Sequence, residues 1–195
     1  GGLVKNVSVG ASPTWMQDRL VAAGQRPINN LVDISNYVML EFGQSTHIFD
    51  HDKLGSNEIL VRRAVKGESI ITLDKNQYKL NNDHLLITNG KVPVALAGIM
   101  GGYGSAVDDN TKNILIESAY FNPVTVRKGS KALAFSTEAS KRFERGADPN
   151  ASLDGFWRVI NLVEEYTGGV FEGDFIDHYS EKIKEGVIDL SFINK

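Results

Sequence analysis

The stretch ILIESAYF, residues 114–121, places one carboxylate, Glu117, in the middle of a strand-like run. A carboxylate withdrawn from water loses its hydration unless a donor or cation replaces it. Glu117 therefore faces solvent, meets a structural partner, or serves a site. On a two-residue period it shares a face with Leu115, Ala119 and Phe121, while Ile114, Ile116, Ser118 and Tyr120 take the other. Both faces are largely apolar, which fits a strand covered on both sides. HIFDHD supplies His47, Asp50, His51 and Asp52, which suit a metal by type but match no strong ligand spacing, so no metal is expected. His47 falls just after a helix C-terminus, where a partial negative charge favours the protonated ring and where a capping histidine would also sit.

Two more stretches carry chemical capacity. AGIMGGYGS, residues 97–105, is rich in glycine but is not a phosphate-binding P-loop, because no Gly-Lys-Ser or Gly-Lys-Thr follows. It is a tight turn between strands or a place where a ligand approaches bare backbone. STEASKRFERG offers Ser136 or Thr137 as a helix N-cap, followed by the cations Lys141, Arg142 and Arg145. There is no Gly-x-Ser-x-Gly elbow and no cysteine, so a covalent mechanism has no support.

These residues need elements to hold them. SPTWMQDRLVAAG predicts a helix with Ser12 as N-cap, Pro13 at its first position and Gly24 at its end, turning Trp15, Met16 and Leu20 inward. LVDISNYVMLEFG predicts a second, with Leu31, Ile34, Val38 and Phe42 on one face and Gly43 closing it. The chain is thus expected to start helical. From Ile59 the period changes to short strands at close intervals, which implies hairpins in a largely antiparallel sheet or barrel. NPVTVRKGSKAL, capped by Asn122, and STEASKRFERG read as helices. NASLDGFWRVINLVEEYTGG is the longest, with Leu153, Phe156, Trp157, Ile160 and Val163 inward, and VFEGDFIDHY returns as a last strand.

At 195 residues and 42% hydrophobic content the chain can bury a real core, enough for one domain or one and a half. The absence of cysteine excludes disulfides and thiolate zinc and is compatible with a reducing compartment, with the cytoplasm expected. No signal peptide or membrane segment is read. The opening Gly1, Gly2 and the close in mid-pattern suggest a fragment of something longer. The net charge of -3 argues against a generally basic surface, but Arg127–Arg145 holds six cations against Glu138 and Glu144. That segment is a solvated helical face or a phosphate-facing patch.

SPTWMQDRLVAAGQRPINNLVDISNYVMLEFGQSTHIFD, ALAGIMGG, ILIESAYFNPVTVRKGSKAL and STEASKRFERGADP together closely resemble the beta subunit of bacterial phenylalanyl-tRNA synthetase, from Ser12 to Gly169. The resemblance implies its third and fourth modules: an α+β domain built on an antiparallel six-stranded Greek-key barrel with flanking helices, its N-terminal strands shortened or absent here. It implies an editing domain over 1–180 and the start of a linker over 181–195. The implied activity is hydrolysis of mischarged Tyr-tRNA(Phe), with His47, Glu117 and Thr137 catalytic and Gly98, Gly101 and Ala139 lining the substrate pocket. Lys141, Arg142 and Arg145 would contact tRNA(Phe). No cofactor is implied for this portion. ATP and magnesium belong to the full enzyme, in which an alpha subunit completes an alpha2beta2 heterotetramer. QSTHIFD departs from the commoner QPLHAFD, which changes the fine shape near His47. The competing class is a structural, tRNA-contacting module without hydrolytic activity.

Overall fold

A computed structural model of the chain describes residues 1–183. The expected linker, 181–195, lies almost wholly outside the described residues. The first half runs β1 (Gly2–Lys5), α1 (Thr14–Ala22), α2 (Asn30–Phe42), β2 (Thr46–Asp50), α3 (His51–Leu54), β3 (Leu60–Arg63), β4 (Ser69–Ile71) and β5 (Gln77–Lys79). The second runs β6 (Leu85–Thr88), β7 (Pro93–Leu96), β8 (Met100–Gly101), β9 (Ile114–Ser118), α4 (Pro123–Leu133), α5 (Glu138–Phe143), α6 (Ala151–Thr167) and β10 (Val170–Phe175).

The α+β class holds, but the expected six-stranded barrel does not. The strands form two four-stranded sheets, ordered β10-β1-β9-β2 and β3-β6-β7-β8, with β4 and β5 as a separate pair. Every pairing is antiparallel. The reason lies in β9, whose two edges are taken by β1 and β2, so it cannot extend the hairpin series that precedes it. Nor is the start helical. The four residues of β1 are too few to show a period, yet they occupy the middle of the first sheet. Gly2 is required there, because a Cβ would lie 2.7 Å from the Phe156 ring.

Each sheet has its own core. Val4, Ile34, Val38, Ile114, Ile116, Val159 and Val163 pack the first sheet against α1, α2 and α6. Phe49, Leu86, Leu96, Ile99, Phe121, Val126 and Phe143 fill the second core beneath α4 and α5. The two faces of β9 divide as the period of two requires: Ile114 and Ile116 join the first core, while Leu115, Ala119 and Phe121 join the second. Glu117 thus belongs to the side of the second core.

Local signals explain most helix ends. The Asn29 side chain accepts from the Val32 amide at 2.9 Å, and Gly43 closes α2 at φ 70°. Asn122 caps α4 by accepting from the amides of Val124 and Thr125. Ser12 behaves otherwise: its hydroxyl donates to the buried Asp33 carboxylate, and Pro13 takes the N-cap position of α1 without a side-chain bond. Phe42 and Leu153, expected inward, are 42% and 39% exposed.

Candidate functional site

A cleft of about 850 Å³ opens between the α1–α2 connection, α2, β2, the β7–β8 hairpin, β9 and α5. His47, Gly98, Gly101, Glu117, Thr137, Ala139 and Arg142 all line it, although they come from four separate places in the chain. Lys141 and Arg145 do not.

His47 and Glu117 face each other as register partners across β2 and β9. Both keep a partly open surface, and both are governed by lost hydration. Burial pushes the Glu117 carboxyl from 4.5 up to about 7, with the Gly1 ammonium a lesser influence in the opposite direction. The carboxylate has no hydrogen-bond or ion-pair partner among the described residues. Burial lowers His47 from 6.5 to about 4. The sequence-based expectation of a protonated ring at a helix terminus is therefore not met: α2 has ended at Phe42, and His47 stands within a strand where desolvation dominates. Its Nε2 is covered and has no partner among the described residues. The ring packs edge-on to Phe49, with centroids 4.4 Å apart.

The glycine stretch is a hairpin turn. The Ile99 amide donates to the Leu96 carbonyl at 2.9 Å, and Gly98 adopts φ +68°, a region open to glycine. The missing side chains make room for protein atoms first. A Cβ on Gly101 would come within 2.3 Å of His47 Cε1, and one on Gly98 within 2.9 Å of the Phe121 ring. Gly101 thereby fixes where the imidazole sits.

Thr137 joins this turn to α5. Its hydroxyl donates to the Ile99 carbonyl at 2.7 Å and accepts from the Ser140 amide at 3.0 Å, and Ser140 returns the bond in a capping box. The hydroxyl proton is committed to Ile99, so the group can offer a ligand only its remaining acceptor capacity. Two residues later Ala139 presents a methyl group to the cleft. The cations of α5 are occupied: Lys141 and Arg142 both donate to the Glu138 carboxylate, at 2.9 and 3.0 Å.

The acids and imidazoles of HIFDHD do not converge. Asp50 binds Thr111 and Lys53, His51 meets Asn57, and Asp52 meets Asn113. Among the described residues no group of three His, Cys, Asp or Glu could hold a metal ion. None of their helices is long and apolar enough to cross a membrane.

Sequence reasoning passed over Ser45 and Gln44, which precede β2. Ser45 is 7% exposed, lines the cleft, and has an Oγ without a partner among the described residues. Gln44 is wholly buried and donates to the Ala119 carbonyl at 2.9 Å, tying the start of β2 to the end of β9. The only available signal was the Ser45 departure from the QPLHAFD pattern.

The model of the B3/4 domain family matches residues 1–168. The chain is 48% identical over 189 residues to the phenylalanine–tRNA ligase beta subunit of Halalkalibacterium halodurans, covering 97% of this chain and 23% of that one. With the corresponding subunit of Geobacillus kaustophilus the identity is 52% over 177 residues, covering 91% and 22%. With that of Carboxydothermus hydrogenoformans it is 46% over 191 residues, covering 98% and 24%. The chain thus spans about a quarter of the length of the curated relatives it matches. It belongs to the B3/4 domain family, in the form found within bacterial phenylalanine–tRNA ligase beta subunits.

Proposed function

We propose that the cleft is an editing site that hydrolyses Tyr-tRNA(Phe), acting within a phenylalanyl-tRNA synthetase. The observation that carries this reading is Glu117, a desolvated carboxyl on the cleft wall without a partner among the described residues. Tyrosine differs from phenylalanine by one hydroxyl. A site built to hydrogen-bond that hydroxyl selects by a large factor, whereas an apolar pocket cannot reject the near-isostere. With its pKa raised to about 7, the carboxyl accepts from the phenol when ionised and can exchange roles with it when protonated.

Hydrolysis then proceeds by attack of water on the ester carbonyl. The bond from the carbonyl carbon to the ribose oxygen breaks, that oxygen takes a proton, and free tyrosine and tRNA leave. Neutral His47 orients the ester and the water, while Thr137 positions the turn beneath them and Ala139 leaves space for the aminoacyl group. A tRNA hydroxyl can share in placing the water, so no side chain has to act alone as base. ATP and magnesium would serve amino-acid activation elsewhere in the heterotetramer with the alpha subunit, in the cytoplasm. No step here is routed through them.

The test is deacylation of Tyr-tRNA(Phe) by the heterotetramer. Ala139→Trp should fill the pocket and abolish hydrolysis while aminoacylation persists. Normal hydrolysis in a folded Ala139→Trp enzyme removes this cleft from consideration. A wild-type enzyme that leaves Tyr-tRNA(Phe) intact favours the purely structural, tRNA-contacting reading.

A further inference from the structure

The positive charge between Arg127 and Arg145, six cations against two acids, is unevenly shared between two helices. From Ser118 to Thr137 the chain has three cations, Arg127, Lys128 and Lys131, and no acid, whereas Glu138–Arg145 sets three cations against two acids. On α5, Lys141 and Arg142 are both paired with Glu138. None of the α4 cations has an ion pair among the described residues. The uncompensated charge of this segment is therefore carried mainly by α4.

The helix turns that charge outward. Val126, Gly129 and Ser130 are its buried positions, Val126 lies against the Gly98 turn, and Arg127, Lys128 and Lys131 are exposed. Arg63 of β3 extends the row. Its guanidinium donates to the Asp83 carbonyl at 3.1 Å and to the Thr125 hydroxyl at 3.0 Å, one helical turn before Lys128. Arg127 donates to the Glu144 carbonyl at 2.8 Å. Asp83 and Glu144 thus meet these arginines through backbone oxygens, and neither carboxylate forms an ion pair among the described residues. Both guanidinia are held in place by neutral acceptors, which leaves their charge and their remaining N–H groups for an anion. A shallow concavity of about 330 Å³ between α4 and α5 sets Lys131 beside Arg127. Val124 is the one large apolar residue exposed on α4, too little for the apolar centre of a protein interface, which favours phosphates over an acidic protein surface.

We infer that Arg63, Arg127, Lys128 and Lys131 form an RNA-docking face that grips backbone phosphates. It rests on the reading that this domain meets tRNA, and not on the chemistry of the cleft. No residue of α4 lines that cleft. The face lies about one helix diameter, roughly 10–12 Å, from the Gly98 wall, so the RNA held here is outside the cleft with its backbone across α4.

The test is the affinity of the heterotetramer for uncharged tRNA(Phe) as a function of KCl concentration. Lys128→Gln/Lys131→Gln should weaken binding about tenfold near 0.1 M salt and reduce the slope of log Kd against log salt by about two. Adding Arg127→Gln should reduce it by about one more. Lys141→Gln, which removes an ammonium already paired with Glu138, should reduce it by less than one. The melting temperature of the lysine double variant should match wild type, because neither lysine has an ion-pair partner to lose. An unchanged slope in that variant, a larger reduction in Lys141→Gln, or equal competition by poly-L-glutamate of matched charge overturns the inference. Hydrolysis separates the two readings. If Tyr-tRNA(Phe) is hydrolysed and the lysine double variant keeps the wild-type salt slope and KM, the face is refuted and the editing site stands. If the slope falls as expected but the wild-type enzyme leaves Tyr-tRNA(Phe) intact, the face stands and the editing site falls.

Discussion

Two carboxylates on one strand pair have opposite surroundings. Asp50 ends β2 and Glu117 lies near the end of β9, three rungs apart along the same antiparallel ladder. Asp50 is 3% exposed and fully engaged: it accepts from the Thr111 hydroxyl at 2.6 Å and the Lys53 amide at 3.1 Å, with Lys53 Nζ at 3.3 Å. Glu117 has no such donor among the described residues. The cost of withdrawing a carboxylate from water is thus met for Asp50 by the fold, whereas for Glu117 no described group meets it; on the proposed reading, that is what separates a structural acid from a site acid. Asp50→Ala should show the largest effect. Stranding the buried Thr111 hydroxyl and the Lys53 amide and weakening the Lys53 ion pair should cost about 3 kcal/mol, seen as a fall in Tm of roughly 6–12 °C for a chain of this size. A Tm within a degree of wild type would dissolve the contrast.

Glu117→Ala should do the reverse. No partner is abandoned, so Tm should hold or rise. On the proposed editing reading the loss falls on selection of the tyrosyl group, roughly 1.5–3 kcal/mol for a hydrogen bond to a charged group, or about 10- to 150-fold in the preference for Tyr-tRNA over Phe-tRNA. Paired hydrolysis assays and thermal melts read both. A variant that melts far below wild type yet retains the preference would return Glu117 to the structural class alongside Asp50.

The contrast also marks what the sequence could show. The two-residue period correctly placed Glu117 with Leu115, Ala119 and Phe121, and cap chemistry located the ends of α2, α4 and α5, because these are local properties. Whether a buried acid has a partner is not local. Asp50 meets Thr111 across 61 positions of sequence, and no spacing rule anticipates it. The barrel failed for a related reason. Close strand spacing implied hairpins, and β4–β5 and β6–β7 are such pairs, but β8 was not foreseen and β9 leaves the series to pair with β1 and β2. The His47 expectation weighed a helix dipole and had no measure of desolvation. The motif resemblance gathered His47, Gly98, Gly101, Glu117, Thr137 and Ala139, and all six line one cleft. It gave no hint that Glu138 holds Lys141 and Arg142.

The smallest expected effect sharpens the comparison within the site itself. His47 has a folded pKa of about 4 against 6.5 unfolded, so between those values the unfolded chain binds more protons and stability rises with pH. Glu117 has a folded pKa of about 7 against 4.5 unfolded, so between those values the folded chain binds more protons and stability falls as pH rises. From about pH 4.5 to 6.5 the two slopes oppose, and the pair adds little to the wild-type pH dependence. Removing either partner exposes the other. Relative to wild type, Glu117→Gln should gain stability steadily as pH rises from 4.5 to 7 and hold that gain above 7, while matching wild type near pH 4. His47→Phe should gain most near pH 4, with the advantage shrinking as pH rises to 6.5. Thermal melts between pH 4 and 8 would reveal both. If each variant ran parallel to wild type across that range, the two groups would titrate alike in the folded and unfolded chains, and the desolvated rung would lose its claim to be a site.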